Sequence, residues 1–153
     1  MVRLSDLPPD YAEGLRSQKM PEFGSAPWVP GPDLKTARVA IISTAGLHRA
    51  SDAKFGGGSS DYRILPVDLD SSELAQSHVS INFDRSGFQQ DVNVAFPLDH
   101  LKQMAADGEI GSVAQWHYSF MGATDPTRMA GTAPEVARLL KQDGVDAAIL
   151  VPV

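Results

Sequence analysis

Apolar positions fall along this chain in short blocks separated by small and polar residues. Residues 37–43, Ala-Arg-Val-Ala-Ile-Ile-Ser, form the clearest block. A short unbroken apolar run predicts a strand buried on both faces, as in a parallel sheet. It leads into a loop of small residues, Ser43, Thr44, Ala45 and Gly46, followed by Leu47 and His48. Residues 62–67 predict a second strand. Residues 70–75 predict a helical turn, and 78–83 alternate weakly, as a short strand would. Leu98, Leu101, Met104 and Ala105 recur at helical spacing and predict a helix over 97–106, stopped by Gly108. Residues 113–120 predict another strand. Thr132 and Glu135 have the spacing of a capping box, with Pro134 in the first turn. They open a helix whose stripe is Val136, Leu139 and Leu140 and whose stop is Gly144. The last strand covers 147–151 and is expected to be buried. Strand, loop, helix and strand in alternation predict an α/β domain with an open, mainly parallel sheet flanked by helices, a Rossmann- or flavodoxin-like plan.

This α/β domain is expected to occupy residues 36–153. Residues 1–35 differ, because Pro8, Pro9, Pro21, Pro27, Pro30 and Pro32 leave room only for a short helix over 10–17. They predict an extended Pro-rich arm. Tyr11, Leu15, Met20, Phe23 and Trp28 are its candidate anchors, on its own domain or on a partner subunit.

The totals narrow the function classes. One domain accommodates all 153 residues. A net charge of −6, from 13 basic and 19 acidic residues, argues against nucleic acid as partner. The apolar runs are far too short for a membrane span, and residues 1–6 lack a signal-peptide core, so the expected location is the cytoplasm. The chain has no cysteine, which excludes disulfides, thiolate metal sites and a Cys nucleophile within these residues.

In an open parallel sheet, ligands sit beyond the carboxyl ends of the strands. Three groups are expected there: Ser43, Thr44, Gly46 and His48; then His117, Tyr118, Ser119, Met121 and Gly122; then 151–153. The 43–46 loop reads either as a tight turn or as an anion cradle of backbone N–H groups, without the Lys of a phosphate loop or a three-glycine fingerprint. Gly56, Gly57 and Gly58 read as a plain flexible loop. His48 and His117 are candidate acid/base or substrate-binding groups, and His100 a surface residue. The polar stretch 84–93 predicts Asx-type turns, with Asp91 or Asn93 as possible pocket residues. His48, His78 and His117 would be the ligands of a metal enzyme if they converged.

Several stretches together carry a resemblance: 91–101 (DVNVAFPLDHL), 108–113 (GEIGSV), 117–122 (HYSFMG), 132–137 (TAPEVA) and 143–147 (DGVDA). Over about 37–153 the chain resembles the selenoprotein B family of glycine, sarcosine, betaine and D-proline reductases. That resemblance implies a selenol- or thiol-dependent reductase subunit cleaving a C–N or similar bond of a small substrate. It implies selenocysteine, or Cys, immediately after Val153, and a redox partner or other reductase subunits in a homo- or hetero-oligomer. Ser43, Thr44, Gly46, Ser119, Asp91, Asn93 and Val153 would then line the substrate side. His117 would be the proton donor, with His48 beside it. The chain departs from the family in carrying no selenocysteine or Cys, as a UGA codon read as stop would produce, and is expected to be inactive as it stands. A non-catalytic binding or assembly subunit is the alternative.

Overall fold

The structure is a computed structural model and describes residues 3–17, 29–81 and 83–153. A short helix α1 (Pro9–Arg16) precedes the domain. Strands β1 (Arg38–Ser43), β2 (Leu47–Arg49), β3 (Tyr62–Pro66) and β4 (Leu74–Gln76) follow. Then come α2 (Ser86–Gln90), α3 (Leu98–Ala106), β5 (Ser112–Val113), β6 (Trp116–Phe120), α4 (Ala133–Gln142) and β7 (Ala147–Val151).

β1 is the hub. It pairs in parallel with β7 on one side and with β5 and β6 on the other, and β3 lies antiparallel along β6. The sheet is therefore mixed, because the segment expected as a second parallel strand runs the other way. β2 and β4 form a separate antiparallel ribbon. The chain leaves β1 for β6 on one side and later returns to β7 on the other. The topological switch point thus falls between β1 and β7, where strand ends leave a crevice.

Alternation along β1 sorts the core into two layers. Val39 and Ile41 face Phe96, Leu98 and Leu101, around α3. Ile42, Tyr118 and Phe120 face Val136, Leu139 and Leu140 of α4. Fully burying one such aliphatic or aromatic side chain contributes roughly 1.5–3 kcal/mol.

The strand expected over 113–120 is interrupted. Val39 faces Val113, yet Ile42, three residues on, faces Tyr118, five residues on. The two additional residues form a bulge. The Ile41 N–H, left without a carbonyl at that level, donates to Nδ1 of His117 at 3.0 Å. Asp143 closes the bulge from outside. Its carboxylate accepts from the Trp116 N–H at 3.0 Å and pairs with the Arg38 guanidinium at 2.6 Å.

β7 has the expected limits but is an open edge strand, not a buried one. Ile149 is 37% and Leu150 70% exposed. The Thr44 N–H donates to the Val151 carbonyl. By the alternation of parallel pairing, the backbone groups of Ala147, Ile149 and Val151 face β1, and those of Ala148, Leu150 and Pro152 face outward.

Other differences have local causes. Thr132 starts α4 without a side-chain cap; its hydroxyl is turned to the Ser60 carbonyl, to which it donates at 2.8 Å. The 70–75 segment is a 3₁₀ turn over Ser71–Glu73 running into β4. The described residues of 78–83 form no strand. The glycine-rich loop is tied down: the Ser59 carbonyl accepts from Thr124 Oγ1, and Gly58, at φ +69°, lies against the Arg128 guanidinium. In the arm, Ala12 is buried whereas Tyr11 and Leu15 are exposed. Met20, Phe23 and Trp28 lie outside the described residues.

Candidate functional site

The crevice at the switch point is built from three strand ends. Thr44 follows β1, Gly122 follows β6 and Val153 follows β7. The Val153 N–H donates to Thr44 Oγ1 at 2.8 Å, and the Gly122 N–H donates to the Thr44 carbonyl at 2.8 Å. Gly122 is required by space. A Cβ there would stand 2.5 Å from the Val153 carbonyl oxygen and 2.8 Å from that of Thr44.

A cavity of about 290 Å³ opens on this junction, lined by His78, Ser80, Phe83, Gly122, Ala123 and Val153. His78 is the titratable group in its wall. Gly46, at φ +66°, lets the chain pass close beneath it, since a Cβ there would meet His78 N at 3.0 Å. The His78 Nδ1 accepts from the Ser80 N–H at 3.2 Å, its carbonyl accepts from Arg85, and its ring leans on Phe83 at 4.9 Å. With Nδ1 accepting, Nε2 carries the proton, and it is buried without a hydrogen-bond partner among the described residues. Burial first, then the Arg85 charge, lowers the pKa of this imidazole, so it stands as a neutral N–H donor.

Of the residues expected at the strand ends, Thr44, Gly122 and Val153 meet at this junction, and Gly46 lies against the His78 backbone. Ser43 and Ser119 lie at the same level but point into the core. Ser43 Oγ donates to the Ala95 carbonyl at 2.8 Å, and Ser119 Oγ accepts from the Leu47 N–H at 2.7 Å. His117 is fully buried under the sheet, edge-on to Phe96, and burial pushes its pKa down to about 4. His48 is buried in β2, its Nδ1–H donating to the Arg49 carbonyl at 2.6 Å. Neither histidine lines the cavity. Asp91 and Asn93 do not line it either. They close an Asx turn, with the Asn93 N–H donating to Asp91 Oδ1 at 2.9 Å and the Asn93 amide reaching Asp99.

Among the described residues, no group of three or more His, Asp or Glu side chains is gathered to hold a metal ion, so the three histidines form no such centre. His78 as a cavity wall was not legible: a ring nitrogen receiving the N–H two residues on leaves no periodic trace.

These features define an α/β domain with a small pocket at the strand ends of its switch point. The chain belongs to the family described as glycine/sarcosine/betaine reductase selenoprotein B, whose model matches residues 15–153. It is 32% identical to the D-proline reductase subunit gamma of Acetoanaerobium sticklandii, over 96% of this chain and 61% of that protein. It is also 32% identical to the glycine reductase complex component B subunit gamma of Carboxydothermus hydrogenoformans, over 86% of this chain and 32% of that protein. With the betaine reductase complex component B subunit beta of Peptoclostridium acidaminophilum it shares 31% identity, over 79% of this chain and 29% of that protein. The chain thus spans under two thirds of the first of these relatives and about a third of the others. No solved structure matches it. Among the described residues, no helix is long and apolar enough to cross a membrane.

Proposed function

We propose that this chain forms the strand-end wall of the active site in a selenol- or thiol-dependent reductase subunit. The reaction is reductive cleavage of a C–N or similar bond in a small amine-bearing substrate, on a flavodoxin-like doubly wound plan. The observation that carries the reading is the convergence of Val153, Thr44 and Gly122 on a cavity that has the neutral His78 in its wall. A selenocysteine or cysteine following Val153 would supply the nucleophile. The residues present fit such a group. Thr44 fixes the backbone that would carry it, Gly122 lets that backbone pack closely, and the imidazole of His78 in the cavity wall would stabilise negative charge there if its N–H turned to it. Names of relatives support a small amine or amino-acid substrate and other reductase subunits as partners.

Appending a cysteine directly after Val153 and measuring its rate of alkylation by iodoacetamide at neutral pH tests the reading. The thiol is expected to react faster than free cysteine, because a donated hydrogen bond lowers its pKa. His78→Ala is expected to reduce the rate towards that of the free amino acid. A rate equal to that of free cysteine with His78 in place would remove the reading.

A further inference from the structure

Helix α4 does not cover the whole of its face of the sheet. Its ten residues span about 15 Å, and through Val136, Leu139 and Leu140 they pack on Tyr118, Phe120 and Ile42. Ile64 faces Tyr118 across the β3–β6 pair, and Trp116 lies diagonally beside it on the same face. Both stand beyond the end of the helix, Trp116 41% and Ile64 39% exposed. They form a ridge between two hollows. One hollow, of about 400 Å³, runs under the last turn of α4 past Tyr118, Leu139 and Asp143. The other, of about 590 Å³, is walled by Arg49, Arg63 and Tyr62.

The charge in the second hollow is not balanced. Arg63 spends its guanidinium N–H groups on the carbonyls of Ala53 and Tyr62 and lies 4.5 Å over the Phe55 ring. Arg49 has a buried Nε without a hydrogen-bond partner among the described residues. Among the described residues, no carboxylate forms an ion pair with either arginine. Asp52, the acid in the same wall, accepts from the Arg49 backbone N–H instead. In a chain of net charge −6, two guanidinium groups without an ion-pair partner among the described residues stand beside an exposed indole. Trp, Tyr and Arg are the residues that dominate binding energy at protein interfaces.

We propose that the Ile64–Trp116 ridge and the Arg49–Arg63 shelf form a docking surface for an acidic segment of another protein subunit. An apolar side chain of that segment would seat in the hollow under α4, and its carboxylates would meet the two arginines. Charge complementarity decides the occupant: the wall holds two guanidinium groups against the single carboxylate of Asp52, so it attracts an acidic segment and repels a basic one. The surface shares no lining residue with the Val153 cavity. It therefore stands or falls separately from the reading of that cavity as catalytic.

The test titrates the full chain with a short synthetic peptide of glutamates around a central leucine, followed by two-dimensional NMR. Expected are shifts at the Trp116 indole N–H, the Ile64 methyls and the Arg49 and Arg63 Nε–H groups, weakened about fivefold by Arg49→Gln. Arg49→Glu should abolish binding of the glutamate peptide and confer binding of the corresponding lysine peptide. Unchanged amide spectra elsewhere would show that both variants fold. Equal binding of the lysine peptide to the unaltered chain overturns the proposal, as do shifts confined to other surfaces or no shifts at all. The same shifts given by acetate alone would make this a small-anion site. Concentration-dependent shifts at Trp116 without peptide would make it a contact between copies of this chain. Either result replaces the proposal.

Discussion

β1 is held differently on its two flanks. Towards β7 it makes a plain ladder of five successive residue pairs, carried by backbone groups. Towards β5 and β6 the ladder breaks, and side chains complete it: His117 for the Ile41 N–H and Asp143 for the Trp116 N–H. A backbone ladder accepts almost any residue that suits a strand. A side-chain ladder specifies its residues, because each substitution strands a buried donor. One flank is therefore tolerant and the other exacting, although both serve the same strand.

The contrast is broken most forcefully at His117. Replacing it by Ala removes a buried ring and leaves the Ile41 N–H without an acceptor, so a loss of ~4 kcal/mol in urea unfolding is expected. A loss below ~1 kcal/mol would mean that the bulge does not depend on the ring.

The same residue makes the exacting flank sensitive to acid. Burial holds the folded-state pKa near 4, against about 6.5 in an unfolded chain. Above about pH 6.5 both states are neutral and the contribution is complete. As pH falls towards about 4 the unfolded chain binds a proton that the folded one refuses, so stability drops by up to ~3 kcal/mol. Urea midpoints measured across that interval should fall, and the fall should shrink in a His117→Gln variant.

At the far end of the tolerant flank, Gly122→Ala is expected to cost ~2 kcal/mol, since its Cβ would collide with the Val153 and Thr44 carbonyls. Thermal unfolding measures it, and faster hydrogen exchange at the Val153 amide would localise it. Thr44→Val removes the acceptor for that amide and should cost ~1 kcal/mol, again with faster exchange at Val153. The smallest effect belongs to Leu150→Ser, expected within ~0.5 kcal/mol, because the side chain is already exposed. A larger change there would show that the β7 edge is covered in solution.

Legibility followed the same division. β1, α3, α4 and β7 were readable because apolar spacing or a glycine stop marks each within the chain itself. The break between β5 and β6 was not. Val-Ala-Gln-Trp-His-Tyr-Ser-Phe, residues 113–120, reads as one strand, and only the pairing with β1 reveals two additional residues. The direction of β3 was hidden for the same reason, being set by its partner. Thr132 carries a correct cap signature but is taken by Ser60, a partner 72 residues away. At the site, Thr44, Gly122 and Val153 were expected at neighbouring strand ends, and their backbones meet there. The histidines were exchanged: His48 and His117 went to the interior, and His78 to the cavity wall. Sequence marks a histidine as able to do chemistry, whereas only packing decides which one meets a cavity.

The outward alternation of β7 also limits how the exposed edge can recruit another strand. Ala148 and Leu150 offer both an N–H and a C=O there, but Pro152, the next outward residue, has no N–H to give. A cross-β ladder seeded on this edge would lose its donor at that rung, so the proline acts as a gatekeeper against runaway fibril growth.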